Sequence, residues 1–389
     1  MLNYYMSTGT GLFKNIVIGY PGDHTITADR VLDISGNVDI SGNVDISGSL
    51  VLNSFVKSPI VMNITGGDYT TYTNSFYHVH KFSYASPDAS LSVTTPGWVH
   101  YIAVGGGGAG GPFAWWFGGG GGGGVVSGIR HLGVTTTLEP YKVHVGNGGT
   151  AAASEAYPST AYSTSIFGGV SPYNIPVQGE VDGVSDWEPN AIHAFKGSFG
   201  QQDIPRSTPS GPHGRVYPLI GSTGGLGTDF QEHGHEALRN FSSNVSNTDF
   251  EGLHQGYPGG RGAKQRYSNP SSGGGGGACG GGQDVTTVWG GQMLGGEGGP
   301  GQKFPNLGVN DETIILGGGG GGGTRVGYHN PAGGAGGGGA GSKGSSYPYQ
   351  AYNGVNETGG GGGGGQDSRY NGRYGGNGGS GVVYIYYPK

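Results

Sequence analysis

Charge, cysteine and long apolar runs are all scarce in this chain of 389 residues. Charged residues make up 11% of it and the formal net charge is −6, so no basic surface for a nucleic-acid backbone is predicted. The single cysteine, Cys279, excludes an internal disulfide. No apolar run approaches the ~18 residues of a membrane-spanning helix, and the first residues lack the pattern of a signal peptide. We therefore expect neither nucleic acid as a partner nor insertion into a membrane.

Glycine is in large excess, since 92 of the 389 residues are glycine. This is several times its usual share of about 7%. Blocks of seven glycines occur at 118–124, 317–323 and 359–365. Further glycine-rich segments of similar length lie at 105–111, 273–282 and 333–341, with weaker ones at 221–227, 256–262, 290–300 and 375–381. Flexible linkers separate domains, but these segments recur within the sequence between aromatic and β-branched residues. Their repetition indicates parts of one ordered object.

The object that such segments can build is a bundle of polyglycine II helices, with three residues per turn and a rise of ~3.1 Å. This helix has no internal hydrogen bonds, so every backbone N–H and C=O group must be paired by a neighbouring segment. Only glycine lets backbones approach closely enough. Strand-like alternation flanks the glycine segments, for example in residues 98–104. The predicted fold is therefore all-β with a polyglycine II helix sandwich.

The N-terminal part differs, because residues 32–52 repeat every six residues. Each repeat has two apolar residues at i and i+2, such as Leu32 and Ile34, followed by a Ser-Gly turn. Four such units bury little in one chain, so we predict a short homotrimeric β shaft at 31–57; the start of a single-chain β-helix is the alternative. The predicted domains are an attachment segment at 1–30, this shaft, and a glycine-rich domain at 58–389 with a loop-rich insert at 171–270.

The connections between glycine segments combine aromatic side chains with hydrogen-bonding groups, a composition suited to glycan or protein surfaces. Loops held by a rigid scaffold are where recognition tends to lie. An alternative is that Phe113, Trp115 and Trp116 only seal an edge of the sandwich. The candidate receptor-binding residues are Trp115, Trp116, Trp289, Tyr328, His329, Tyr347, Tyr349, Tyr352, Arg369, Tyr370 and Tyr374.

Two His-x-His pairs are candidate metal ligands, His78 with His80 and His233 with His235. On a strand, residues i and i+2 face the same way, and a threefold axis would bring six imidazoles together around a transition metal. Beyond this possible metal we expect no cofactor. Phosphate-binding and nucleophile-elbow motifs are absent in the setting they require, so no enzyme activity is predicted.

Three stretches carry a resemblance to a known family: PGWVHYIAVGGGGAGG, GGGGGGGVVSGIRHLGVTTTLEPYKVHVGNGG and GGNGGSGVVYIYY. They resemble the glycine-rich domain of phage tail-fibre and other viral attachment proteins and, more loosely, the tip adhesins of T-even-type phages with their polyglycine II sandwich. The resemblance implies a fibre or adhesin on the virion surface, in a tail fibre or a capsid fibre. Its N-terminus would contact other virion proteins, and its loops would bind a host cell-surface glycan or protein.

Two alternatives stay open. One is a structural component, such as a capsid decoration or a minor capsid or fibre protein, that binds no receptor. The other is a cellular extracellular matrix or receptor domain.

Overall fold

The computed structural model describes the second part of the chain, from Ile60 onward, with gaps. The described residues are 60–85, 88–111, 118–135, 140–151, 161–168, 192–200, 222, 224, 255–257, 259–262, 271–288, 292–324, 330–343, 351–365 and 374–389. Every regular element in these ranges is a β-strand, which confirms the all-β prediction. Within the same ranges, no helix has the length and apolar character needed to cross a membrane. The predicted shaft and attachment segment lie outside the described residues.

Two five-stranded antiparallel sheets form a sandwich. The first sheet has the order β1 (Val61–Thr65), β4 (Ala89–Thr95), β7 (Tyr141–His144), β8 (Thr164–Gly168) and β9 (Ile192–Ala194). The second has the order β2 (Asp68–Thr73), β3 (Tyr77–Ser83), β14 (Val382–Pro388), β5 (Gly97–Val104) and β6 (Val125–Leu132). Two short hairpins are added, β10 (Thr286–Val288) with β11 (Gln292–Leu294) and β12 (Gln302–Phe304) with β13 (Ile314–Leu316).

Strand β14 has apolar residues on both faces because both faces are covered. Val383 and Ile385 belong to the core between the two sheets. Val382 and Tyr384 belong to a second apolar cluster, which includes Leu316 from β13. Fully burying a side chain of this size stabilises the fold by ~1.5–3 kcal/mol. One face of the C-terminal strand therefore packs in the core between the sheets, and the other packs in the second cluster with Leu316 of β13.

The glycine segments continue directly from the second sheet. Residues 105–111 follow β5, residues 118–124 lead into β6, and residues 375–381 lead into β14. The first two run antiparallel and are joined by backbone hydrogen bonds from Gly105 to Gly124 (3.0 Å), Gly108 to Gly121 (2.8 Å) and Gly111 to Gly118 (3.0 Å). Each bond is three residues from the next. The main chains of two glycine segments thus pair as regularly as two β-strands do. In the glycine segments, however, the bonds to a given neighbour recur every third residue.

Intervening residues of the same segment bond to other neighbours. The amide of Gly106 donates to the carbonyl of Tyr162 (2.9 Å), and the amide of Gly107 donates to that of Gly379 (2.9 Å). We call this hydrogen-bonded array the glycine lattice. Its segments comprise residues 105–111, 118–124, 146–149, 195–200, 255–257, 259–262, 272–283, 295–301, 317–323, 330–343, 351–365 and 374–381.

Two of the glycine-rich segments each contain a turn. Residues 273–282 and 333–341 each reverse direction, at turns 278–280 and 335–337, and so supply two lattice segments rather than one. In the second turn Gly336 and Gly337 have φ values of +102° and +91°, a backbone conformation that glycine adopts readily. The amide of Gly338 then donates to the carbonyl of Gly334 at 3.1 Å across the reversal. Each reversal thus falls where the glycine run is interrupted, at Ala278 and Cys279 in the first turn and at Ala335 in the second.

Candidate functional site

The glycine lattice has two different ends, and the first adjoins the sandwich. Here the amide of Gly123 donates to the carbonyl of Gly359 (2.8 Å), and the amide of Gly359 donates to that of Ser380 (2.8 Å), immediately before β14. Turn 356–359 reverses the chain at this end, and turns 278–280 and 335–337 do the same beside Gly317 and Gly318. Among the described connections at the sandwich end, these three are short turns, and the hairpin of β12 and β13 is a fourth connection, between Gly301 and Gly317.

The opposite end, which we call the distal pole, is marked by bonds between the far ends of the segments. The amide of Gly111 donates to the carbonyl of Gly118 (3.0 Å), that of Thr324 to Ser342 (3.1 Å), and that of Ser342 to Gly364 (3.0 Å). A lattice segment of seven residues, such as 105–111, leads from the sandwich to this pole. At ~3.1–3.4 Å per residue of extended backbone, the two ends lie roughly 20 Å apart.

The connections that carry the candidate receptor-binding residues begin and end at the distal pole. Residues 112–117 join Gly111 to Gly118, residues 325–329 join Thr324 to Asn330, residues 344–350 join Lys343 to Ala351, and residues 366–373 join Gly365 to Tyr374. Chain connectivity therefore attaches these four sequence-distant segments to one end of the lattice. Nine of the candidates themselves lie outside the described residues: Trp115, Trp116, Trp289, Tyr328, His329, Tyr347, Tyr349, Arg369 and Tyr370.

Trp289 is attached to the same pole by the hairpin of β10 and β11. The residue before this hairpin, Val285, donates its amide to the carbonyl of Arg261 (3.0 Å). The residue after it, Gly295, donates its amide to the hydroxyl of Thr324 (3.1 Å). Since Thr324 is itself bonded to Ser342 at the pole, the Gly295 end of the hairpin is fixed there.

Tyr352 and Tyr374 are the two candidates whose positions are described. The amide of Tyr352 donates to the carbonyl of Ala340 (2.9 Å), and its own carbonyl accepts from Gly363 (2.9 Å), so its backbone is held within the lattice. Its side chain is nevertheless 60% exposed. Tyr374 begins the last lattice segment at the pole and is 36% exposed. Tyr352 thus combines a fixed backbone with an accessible phenol ring, and the ring of Tyr374 is accessible as well.

Buried hydroxyl groups complete the hydrogen bonding at the pole, where the glycine segments end. The hydroxyl of Ser271 donates to the carbonyl of Met293 (2.9 Å). The hydroxyl of Ser272 donates to the carbonyl of Gly323 (3.1 Å) and accepts from the amide of the same glycine (2.9 Å). Sequence reasoning missed these residues. The signal that could have found them is a serine or threonine directly beside a glycine run.

The lattice is also tied to the sandwich by side chains. Glu357, in turn 356–359, accepts hydrogen bonds from Lys81 and from the hydroxyl of Ser83 (2.7 Å for the latter), both in β3. These side-chain hydrogen bonds, from Lys81 foremost and then Ser83, lower the pKa of the Glu357 carboxyl. The segments that meet at the distal pole are thus fixed to a rigid body at their other end.

Both residues of the first histidine pair are half-buried on β3. His78 and His80 pack on Tyr387, with ring centroids 5.4 Å and 5.9 Å from the tyrosine ring. The Nδ1 atom of His78 lies 2.8 Å from the hydroxyl of Thr73. Burial, and then the nearby His78, lowers the pKa of His80. His233 and His235 lie outside the described residues. The described part of the chain contains no group of three or more His, Cys, Asp or Glu side chains placed to hold a metal ion.

Comparison with known proteins gives a match to a family model described as a glycine-rich domain, over residues 86–388. That range contains the whole glycine lattice and all strands from β4 onward. No curated protein matches the chain.

Proposed function

Since the chain belongs to the glycine-rich domain family, we propose that it is a viral fibre or adhesin protein without enzyme activity. In this proposal, loops displayed at the distal pole bind a host cell-surface glycan or protein. The observation that carries the proposal is the attachment of five aromatic-rich connections to one end of the glycine lattice. A recognition surface needs side chains from separate segments held close together on a rigid support.

We propose further that the lattice segments are polyglycine II helices packed as a sandwich. Hydrogen bonds from one segment to the same neighbour recur every third residue, as between 105–111 and 118–124, and the residues between them bond to other neighbours. This period is the one expected of a helix with three residues per turn. The same period accounts for the missed segment 195–200, in which Gly197 and Gly200 are spaced by three.

The rest of the proposal concerns assembly. Residues 31–57 form a homotrimeric shaft, residues 1–30 bind other virion proteins, and the protein is located on the virion surface. The described part begins at Ile60, which packs against Gly97 at the start of β5, whereas β5 ends at the lattice. The chain thus enters the sandwich at the end remote from the distal pole. This polarity supports attachment through the N-terminus and recognition through the pole, with no metal or other cofactor required.

The experiment that tests this function measures binding by the fluorescently labelled full chain to a glycan array and to susceptible host cells. We expect saturable binding that weakens at least tenfold in the triple variant Tyr347→Ala, Tyr349→Ala, Tyr370→Ala. Truncating a buried aromatic side chain at an interface commonly costs ~1–2 kcal/mol or more in binding free energy. A loss of ~1.4 kcal/mol corresponds to a tenfold loss of affinity. The matched control is Trp98→Ala, which removes a 49% exposed aromatic side chain at the start of β5.

Two results would contradict the proposal. Absence of saturable binding would favour a structural capsid or fibre component. An equal loss of binding in Trp98→Ala and in the triple variant would place recognition outside the distal pole.

A further inference from the structure

Strand β2 is an outer strand of the second sheet. In the order of the described strands it has β3 as its neighbour, paired antiparallel from Asp68 with Ser83 to Thr73 with His78. Five of its six residues are exposed, on both faces of the sheet. Tyr69, for example, is 39% exposed. The sixth, Tyr72, donates its hydroxyl to the carbonyl of Leu307 (2.6 Å). An outer strand presents backbone donors and acceptors along its free side.

The other outer strands of the two sheets carry features that discourage pairing with another chain. Strand β1 has a register shift between Val61 and Met62, β6 contains Gly128 and the charged Arg130, and β9 has three residues. Irregularity, charge and short length are the usual protections of a sheet edge. Strand β2 has six residues with the sequence DYTTYT, which contains no Lys, Arg, Pro or Gly and no register shift. Its edge is regular and has a single charge, at its first residue.

The sequence of β2 is also compatible with itself. A twofold axis perpendicular to the sheet through Thr71 would place Thr71 opposite Thr71 of a second copy. It would place Thr70 opposite Tyr72 of that copy and Tyr69 opposite Thr73. Pairs of threonine with threonine and of aromatic with β-branched residues are favoured across strands. Asp68 falls beyond these pairs, and the two aspartates lie at opposite ends of the interface, so no like charges face each other.

We propose that β2 is an interaction edge for a second copy of this chain. Two β2 strands pair antiparallel about a twofold axis and join two five-stranded sheets into one of ten strands. This interface goes beyond receptor binding and does not depend on the trimeric shaft. If the shaft forms trimers, β2 pairing links two trimers; if it does not, pairing links two single chains. In both cases loss of the interface halves the particle mass.

The experiment is light scattering coupled to size exclusion of the full chain at micromolar concentration. Variants Thr71→Lys and Thr71→Glu each place two like charges face to face on the axis, and each is expected to halve the mass of the wild-type particle. Thr71 is exposed, so the fold is expected to be retained. An equimolar mixture of the two variants places lysine opposite glutamate and should restore the full mass. The control Thr71→Val keeps a β-branched residue and should leave the mass unchanged.

Three results would overturn the proposal: a wild-type mass equal to that of Thr71→Lys, a Thr71→Val variant with halved mass, or a mixture that stays at half mass. Glycan and cell binding is measured separately, so failure of this interface is distinguishable from failure of the proposed function.

Discussion

Substitution of one glycine inside the lattice is expected to destabilise the whole protein, and Gly320→Ala is the sharpest case. The amide of Gly320 donates to the carbonyl of Gly120, and its own carbonyl accepts from Gly275, each at 2.8 Å. A methyl carbon added at Gly320 would lie 2.0 Å from the carbonyl oxygen of Gly362. Ordinary contact begins at 3.4 Å, so segments 317–323 and 359–365 would have to separate by more than 1 Å.

Such a separation stretches several hydrogen bonds at once. Overpacking a well-packed interior costs ~1–3 kcal/mol, and each lost hydrogen bond adds ~0.5–1.5 kcal/mol. The bonds nearest this contact are those of Gly320, Gly361 and Gly362. We therefore expect a loss of about 3 kcal/mol or more in the free energy of unfolding. A flexible linker would behave differently, because alanine restricts a mobile glycine equally in the folded and the unfolded chain and so leaves the free energy of unfolding almost unchanged.

The matched control is Gly133→Ala. A methyl carbon there meets no atom closer than the hydroxyl of Tyr141 at 4.0 Å, and Gly133 lies outside the lattice. Denaturant unfolding of both variants, followed by circular dichroism, should separate them clearly, with Gly133→Ala within ~1 kcal/mol of wild type. Equal stabilities of Gly320→Ala and Gly133→Ala would refute close packing of the glycine backbones.

Two further predictions concern the attachment of the lattice and its neighbouring hairpin to the sandwich. Because the folded-state pKa of Glu357 is lowered, its contribution to stability is present above its usual value near 4.5 and is lost as the pH falls through the folded value. The thermal midpoint of Glu357→Gln should therefore decline less below pH 4.5 than that of the wild type. The difference should correspond to less than ~1 kcal/mol in the free energy of unfolding, since the pair is partly exposed. Asn74 is 6% exposed, donates to the carbonyls of Asn306 and Gly308 (both 3.0 Å) and accepts from the amides of Phe76 and Tyr77. Asn74→Ala should cost ~2–3 kcal/mol in denaturant unfolding, and a cost near zero would contradict this hydrogen-bonded junction.

Much of the sandwich could be predicted from alternation in the sequence. Residues 98–104 and 382–387 alternate between side chains for two buried faces and are indeed strands β5 and β14. The pairing of these strands could not be predicted from the local sequence pattern, because β14 comes from the end of the chain and inserts between β3 and β5. Strands β12 and β13 were missed, since three-residue strands such as QKF carry no period.

The lattice was predictable in kind but not in detail. Seven-glycine blocks indicate close backbone packing wherever they occur, since no other residue permits it. The two segments that turn back are interrupted at the turn itself, by Ala278 and Cys279 and by Ala335, whereas the unbroken blocks 118–124 and 317–323 contain no turn. Composition likewise favours these connections as the binding loops of the proposed function. Their grouping at one pole follows from the directions of the segments, and a sequence of identical residues does not encode direction locally.

Hydrogen–deuterium exchange of the glycine amides tests the central claim most directly. The amides of Gly108, Gly121, Gly320 and Gly362, each bonded to another segment at 2.8–2.9 Å, are expected to be protected as strongly as those of β14. Complete exchange of these amides within seconds, while β14 stays protected, would mean that the glycine segments are not paired and that no rigid pole exists.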